Sequence, residues 1–220
     1  MSDGETTWTY TYNADGLRTQ RTNGTTTYKY YYNGSQLSRM TVGSTTLDFT
    51  YDANGTPLTI TRNGEVYYYV TNLQGDVVGI LNDSGTLVAD YVYDAWGNFQ
   101  CGGSEYLEFE NPLTYRGYIY DHETGLYYLQ SRYYNPQWGR FINADNRISG
   151  VGGDVLGYNM FAYCMNNPIN MSDHTGGWPS WNTIFKVAAT VLAVTAVAVA
   201  VVATAGALGV AAGVVTTAIV

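Results

Sequence analysis

Basic residues are scarce in this sequence: ten Lys and Arg stand against eighteen Asp and Glu over 220 residues, and the formal net charge is −8. Proteins that bind nucleic acid draw most of their affinity from clustered basic side chains that contact phosphates. Because the few basic residues here are spread along the whole chain, the sequence predicts no nucleic-acid partner.

Ligands for a metal ion are also few. The sequence has two cysteines, Cys101 and Cys164, two histidines, His122 and His174, and no C-x-x-C pair. Zinc sites need such ligands in larger number and at short, regular spacings. We therefore expect no metal and no cofactor. Two cysteines are compatible with one disulfide bond or with two free thiols, and their spacing does not choose between them.

The N-terminus lacks the pattern of a secretory signal peptide, since residues 1–10 (MSDGETTWTY) contain no basic segment followed by an apolar one. No N-terminal signal peptide is therefore predicted in this chain. Three explanations stay open: the protein stays inside the cell, it is exported by another route, or Met1 begins a fragment of something longer.

Tyrosine and glycine are abundant, with 22 and 25 residues. Aromatic side chains favour strands, and glycine permits the tight turns that join them. Over residues 1–110, alternating runs such as TWTYTY at 7–12 end in turn sequences such as NADG at 13–16, and the pattern returns before residues 33, 52 and 94. A repeat of about twenty residues predicts units that each pack against the next. We expect an antiparallel β meander.

These units resemble the YD repeats of RHS proteins, as in YNADGL at 12–17, YDANG at 51–55 and YDAWGN at 93–98. Residues 111–176 resemble the RHS repeat-associated core, through the runs TYRGYIYD, ETGLYYLQSRYYNP, GRF and NNP. The resemblance implies a mainly β fold in which a shell-type sheet, residues 1–110, is closed by a core segment, residues 111–176.

In that family the core plugs one end of a hollow β shell, and cleavage at the end of the core frees a C-terminal effector. The resemblance implies that Asp145 and Asp173 form a candidate self-cleavage pair acting near Gly176. This sequence departs from the family pattern because Asn146 and His174 stand where proline follows each aspartate. Proline restricts the residue before it, so its loss affects how both aspartates are presented.

Two carboxylates held close together cannot both ionise cheaply, so one can keep a proton and act as an acid while the other activates water. The alternative is that Asp145 and Asp173 are turn residues whose side chains accept backbone N–H bonds. Other side chains have simpler predicted roles. Arginines that we expect to pair with carboxylates in the core are Arg116, Arg132 and Arg140. Aromatic residues that we expect in the core are Trp138, Phe141, Tyr158, Phe161 and Tyr163.

The composition changes abruptly in residues 177–220, and residues 187–220 contain no charged side chain. A run of this length exceeds the roughly 20 apolar residues that span a bilayer. We expect a C-terminal apolar transmembrane α-helix or helical hairpin, with a buried helix as the alternative. The predicted location is therefore membrane-associated, or exported to the cell surface.

Two functional hypotheses follow. In the first, the chain is the C-terminal shell-closing part of an RHS polymorphic toxin, presents a membrane-active tail, and is at most an aspartate-dependent autoprotease on its own chain. In the second, it is a non-catalytic, membrane-anchored scaffold at the cell surface or wall. Expected partners are the membrane, through residues 187–220, and the rest of an RHS shell, an immunity protein or a cell-surface partner.

Overall fold

The computed structural model describes residues 6–103, 107–145 and 159–177. The chain divides into two compact units, Met1–Ser180 and Trp181–Val220, and every described residue belongs to the first. Apart from Gly177, the predicted apolar tail therefore lies outside the described residues. Within the described ranges, no helix is long and apolar enough to cross a membrane.

Ten antiparallel strands form the first sheet, and each pairs with its neighbours in chain order. The predicted β meander is confirmed. Its strands are β1 (Thr9–Tyr12), β2 (Arg18–Thr22), β3 (Thr27–Asn33), β4 (Gln36–Val42), β5 (Thr45–Tyr51), β6 (Pro57–Arg62), β7 (Glu65–Thr71), β8 (Val77–Leu81), β9 (Leu87–Tyr93) and β10 (Phe99–Gly103).

Five of the turns share one geometry. An Asn or Asp opens the turn, and its Oδ1 accepts the backbone N–H groups of the residues two and four positions later. The glycine three positions after it has φ between +77° and +88°, where other residues are strained. The Asp of the repeat is therefore a turn-capping residue. The residues that open these turns are Asn13, Asp52, Asn72, Asn82 and Asp94.

A tyrosine near the end of β3, of β5 and of β9 bonds each of these strands to the strand before it. Its hydroxyl donates to a backbone carbonyl 14 or 16 residues upstream, which explains why this position is Tyr rather than Phe. The bonds are Tyr32 to Arg18 O (2.9 Å), Tyr51 to Leu37 O (2.8 Å) and Tyr93 to Val77 O (2.7 Å).

The core segment forms a second, four-stranded antiparallel sheet. Its strands are β11 (Ile119–Asp121), β12 (Leu126–Leu129), β13 (Arg132–Asn135) and β14 (Arg140–Phe141), and a one-turn helix α1 (Leu107–Glu110) and 3-10 turns at Tyr115–Gly117 and Cys164–Asn166 accompany them. Buried residues of the two sheets belong to one hydrophobic cluster. The core segment therefore packs against one face of the repeat sheet.

A buried ion pair also joins the two sheets. Arg18 on β2 donates from Nη1 and Nη2 to Asp121 on β11, at 2.5 and 2.9 Å, and neither side chain is more than 1% exposed. The guanidinium lies 4.5 Å from the ring centroids of Tyr30 and Tyr128. The first repeat is thus bonded directly to the core segment.

Three predictions about individual side chains are wrong. Trp138 is 65% exposed and Phe161 is 41% exposed. Trp138 lies in the turn between β13 and β14, where nothing described covers it. Arg140 is exposed on β14, and no carboxylate of the described residues pairs with it. Phe141 and Tyr163 are buried as predicted, whereas Tyr158 lies outside the described residues.

The two cysteines are free thiols. Cys164 is buried, and burial raises its pKa to about 12, so it is a neutral thiol at neutral pH. Cys101 also has a raised pKa, mainly because of burial. Neither thiol therefore has the lowered pKa that nucleophilic cysteines require.

Candidate functional site

The structure brings Asp145 and Asp173 to the same guanidinium group. Nη2 of Arg132 lies 3.2 Å from Oδ2 of Asp145 and 3.4 Å from Oδ2 of Asp173. Asp145 comes after β14, whereas Asp173 comes after the 3-10 turn at Cys164–Asn166, so only the folded chain can place them together. The sequence indicated the two carboxylates and a structural ion pair for Arg132, but not that one arginine pairs with both.

Arg132 is the first residue of β13 and follows a two-residue turn, in which Gln130 adopts φ +59°. The guanidinium lies 3.6 Å from the ring centroid of Phe141 on the neighbouring strand β14, and Arg132 is only 5% exposed. Packing of this kind restricts the orientation of the planar guanidinium, which can then direct its N–H donors to fixed positions.

The remaining donors of Arg132 contact backbone carbonyls. Nε donates to the carbonyl oxygen of Gly176, and Nη2 donates to that of Gly177 at 2.8 Å. Nη1 donates to the carbonyl oxygen of Met160 at 3.1 Å. One guanidinium therefore holds both aspartates and two consecutive carbonyl groups at the end of the core segment.

Asp173 binds the same segment through its second oxygen. Oδ1 accepts the backbone N–H of Gly177 at 3.1 Å and that of Thr175 at 3.3 Å. The backbone N–H of Asp173 donates to the hydroxyl of Tyr118 at 2.9 Å, and this hydroxyl lies 3.2 Å from that of Tyr163. Asp173 therefore caps the turn with its Oδ1 and also pairs, through Oδ2, with the arginine that contacts Asp145.

The two carboxyl groups differ in their access to solvent. The side chain of Asp173 is 1% exposed and that of Asp145 is 13% exposed. Burial raises the pKa of Asp173, and the opposing effects of Arg132 and of the backbone N–H groups do not cancel this rise. Asp173 is therefore the carboxyl group that keeps a proton to higher pH than usual, as the acid of such a pair must.

Two further residues shape this turn. Gly176 has φ +67°, and a Cβ built there would lie 2.5 Å from the carbonyl oxygen of Leu129, so only glycine fits. His174, which occupies the position of the family proline, contacts the ring of Tyr118 at 5.6 Å, with its Nε2 3.4 Å from Oγ of Ser172. Burial lowers the pKa of His174, so the side chain is neutral at neutral pH.

Asn146, the other departure from the family pattern, lies outside the described residues. In the part of the chain that the structure describes, no three His, Cys, Asp or Glu side chains cluster as a metal site would require. The charged groups that the described residues bring to this site are the carboxyl groups of Asp145 and Asp173 and the guanidinium of Arg132.

A meander of tyrosine-containing strands and Asx-capped turns, joined by a buried ion pair to a compact core segment, defines a YD-repeat shell protein. The family model of the Teneurin YD-shell matches residues 41–169, which is more than half of the chain. The chain belongs to the Teneurin YD-shell family. The resemblance on which the sequence expectations rested is confirmed.

Two named proteins are similar in sequence. The tRNA3(Ser)-specific nuclease WapA of Bacillus spizizenii is 42% identical over 176 residues, which is 77% of this chain and 7% of that protein. The toxin protein Tse5 of Pseudomonas aeruginosa is 32% identical over 129 residues, which is 56% of this chain and 9% of that protein. This chain thus spans less than a tenth of the length of each.

Solved structures show the same fold. The crystal structure of TcdB2-TccC3-Cdc42 matches 84% of this chain and 10% of that chain, with a TM-score of 0.61 and 20% identity. The structure of the Photorhabdus luminescens Tc holotoxin pore matches 82% of this chain and 9% of that chain, with a TM-score of 0.60 and 20% identity. At this identity the likeness concerns the fold alone.

Proposed function

We propose that the chain is the shell-closing part of an RHS-type toxin and that it cleaves its own backbone after Gly176 or Gly177. The observation that carries this proposal is the position of Arg132, whose guanidinium contacts Asp145, Asp173 and the carbonyl groups of both glycines. In this proposal Arg132 is the electrophile and Asp173 the general acid, both in contact with the backbone of residues 175–177, and Asp145, which contacts Arg132, is the general base.

The reaction is a hydrolysis. Arg132 polarises the carbonyl group, and the carboxylate of Asp145, nearer to solvent, takes a proton from a water molecule as its oxygen attacks the carbonyl carbon. Arg132 then stabilises the negative charge on the carbonyl oxygen. Asp173 donates its proton to the leaving amide nitrogen, the C–N bond breaks, and a carboxylate and an amine result. The N–H of Gly177 already lies 3.1 Å from Oδ1 of Asp173.

Cleavage here would separate the shell segment from residues 178–220, the position of the effector in proteins of this type. We propose that this tail is membrane-active, because residues 187–220 contain no charged side chain. The released fragment is expected to float with phosphatidylcholine vesicles in a density gradient, while the shell segment is not. A tail fragment that stays in the dense fractions contradicts this part.

Other partners follow from the same proposal. In an RHS-type toxin this chain would contact the rest of the shell, and the effector would bind an immunity protein or a cell-surface partner. Such a protein would be exported.

The second candidate function is the non-catalytic, membrane-anchored scaffold. The replacement of the family proline by His174, together with the turn-capping bonds of Asp173, favours it.

The mass of the 220-residue chain after prolonged folding separates the two functions. We expect the wild-type chain to yield two fragments, and Asp145→Asn and Asp173→Asn to stay intact, because asparagine neither accepts a proton from water nor donates one as an acid. Asp76→Asn is the matched control, since Asp76 is a buried carboxylate that pairs with Arg116 at 3.7 Å and accepts bonds from the Arg116 N–H and the Asn72 amide. A wild-type chain that stays intact supports the scaffold.

A further inference from the structure

Ser131 contacts the proposed cleavage segment, yet the hydrolysis described above does not use it. It lies in the turn between β12 and β13, immediately before Arg132, and is exposed. Its Oγ is 2.7 Å from the carbonyl oxygen of Thr175 and 2.8 Å from that of Gly176. Its backbone N–H also donates to the carbonyl oxygen of Thr175, at 3.2 Å. One exposed serine thus bonds two consecutive peptide groups.

A serine hydroxyl has one proton, so it can donate to only one of these carbonyl oxygens at a time. The carbonyl of Thr175 keeps a donor in either case, because the backbone N–H of Ser131 is shared between the carbonyl oxygens of Leu129 at 2.7 Å and Thr175 at 3.2 Å. The hydroxyl is therefore able to turn fully to Gly176 without leaving the carbonyl of Thr175 unsatisfied. Gly176 would then have two donors, Ser131 Oγ and Arg132 Nε.

The hydroxyl is not needed to form the turn itself. Leu129 and Arg132 pair across it, and Gln130 adopts the left-handed conformation that a two-residue turn demands. Losing this exposed hydroxyl is expected to change stability little, because a neutral hydrogen bond that exchanges with water contributes only a small net free energy to folding. The hairpin therefore does not need the two bonds from Ser131 Oγ to the carbonyl groups of Thr175 and Gly176.

We propose that Ser131 is a positioning residue for self-cleavage, which holds Thr175 and Gly176 against the β12–β13 turn so that the carbonyl groups of Gly176 and Gly177 stay on Arg132. This inference rests on the proposed hydrolysis. Serine and arginine are adjacent in the chain, so the turn that directs one side chain also directs the other. Ser131 and Arg132 bond the carbonyl groups of the segment, and Asp173 accepts its N–H groups. The carbonyl group of Gly176 is therefore held between Arg132, the electrophile, and Asp173, the acid.

The test is the rate of cleavage in the full 220-residue chain, followed by mass spectrometry. Ser131→Ala is expected to cleave about tenfold to a hundredfold more slowly than wild type, the loss typical of removing one donor near a reacting carbonyl. Ser131→Thr keeps the hydroxyl and is expected to restore most of the rate. Ser84→Ala is the control, because Ser84 is an exposed turn serine whose Oγ bonds only the neighbouring Asn82 and Thr86.

Stability is measured separately, in chains that also carry Asp173→Asn and therefore stay intact. Ser131→Ala in that background is expected to leave the urea midpoint unchanged, which distinguishes positioning from folding. If Ser131→Ala cleaves as fast as wild type, the inference is overturned while the proposed hydrolysis stands. The same conclusion follows if Ser131→Thr is as slow as Ser131→Ala. A wild-type chain that never cleaves overturns the proposed function and this inference with it.

Discussion

Replacing Asp121 with asparagine is expected to lower the free energy of unfolding by about 3–5 kcal/mol. Arg18, which is fully buried, would lose the negative charge that compensates its own and one of its two acceptor oxygens, because the asparagine amide offers a single carbonyl oxygen. Arg21 would lose one of its two carboxylate partners, because its Nε lies 3.5 Å from Oδ1 of Asp121 and only Glu123 would remain. Urea denaturation of the two chains, followed by tyrosine fluorescence or circular dichroism, measures the difference.

Asp48→Asn is the control for this experiment. Asp48 pairs with Arg39 at 2.5 Å, but the two side chains are 39% and 52% exposed, so solvent screens the pair and its loss should change stability little. The double variant Arg18→Met, Asp121→Leu should recover most of the stability lost in Asp121→Asn, because it removes the unpaired buried charge. An Asp121→Asn chain as stable as wild type would show that the first repeat is not held to the core segment through this pair.

Replacing Arg132 with glutamine is expected to slow self-cleavage by about 10²-fold or more, because removing one donor to a developing oxyanion has an effect of that size. Glutamine has no positive charge, and its single amide cannot reproduce the contacts to both aspartates and both glycine carbonyls. Lysine keeps the charge but offers a point donor in place of a planar fork, so Arg132→Lys should also be slow. The fraction cleaved against time, read from intact masses, measures both rates.

Arg62→Gln provides the matched control, since Arg62 pairs with Glu110 at 2.5 Å in a partly buried position on the repeat sheet. This variant should cleave at the wild-type rate. If Arg132→Gln cleaves as fast as Arg62→Gln, the guanidinium does not act on the carbonyl groups. Arg132 would then be a structural ion-pair partner only.

Much of the repeat sheet could be predicted from the sequence, because its order depends on local signals. Alternating tyrosines mark the strands, and an Asp or Asn one or three residues before a glycine marks most of the turns, so consecutive strands pair without long-range information. The same signals do not show what the sheet packs against. Arg18 and Asp121 come from different sheets, and neither lies in a pattern that predicts a buried ion pair.

The candidate site was partly predictable. The family resemblance indicated Asp145 and Asp173. It did not indicate their neighbours, because these come from distant parts of the chain and meet only in the folded structure. Nothing local to β13 indicates that Arg132 binds both aspartates and the end of the segment. Trp138 illustrates the opposite error: a large aromatic residue was expected in the core, yet it lies in a turn that no described element covers.

The central claim is that Asp145, Asp173 and Arg132 hydrolyse the chain beside Gly176, and one measurement tests it most directly. The wild-type chain is folded in water enriched in the heavy oxygen isotope, and the masses of all products are recorded beside those of Asp173→Asn. We expect a wild-type fragment that ends at Gly176 or Gly177 and carries one heavy oxygen in its new carboxylate, while Asp173→Asn stays at full mass. A wild-type chain that stays at full mass, or Asp173→Asn cleaving equally, would contradict the claim.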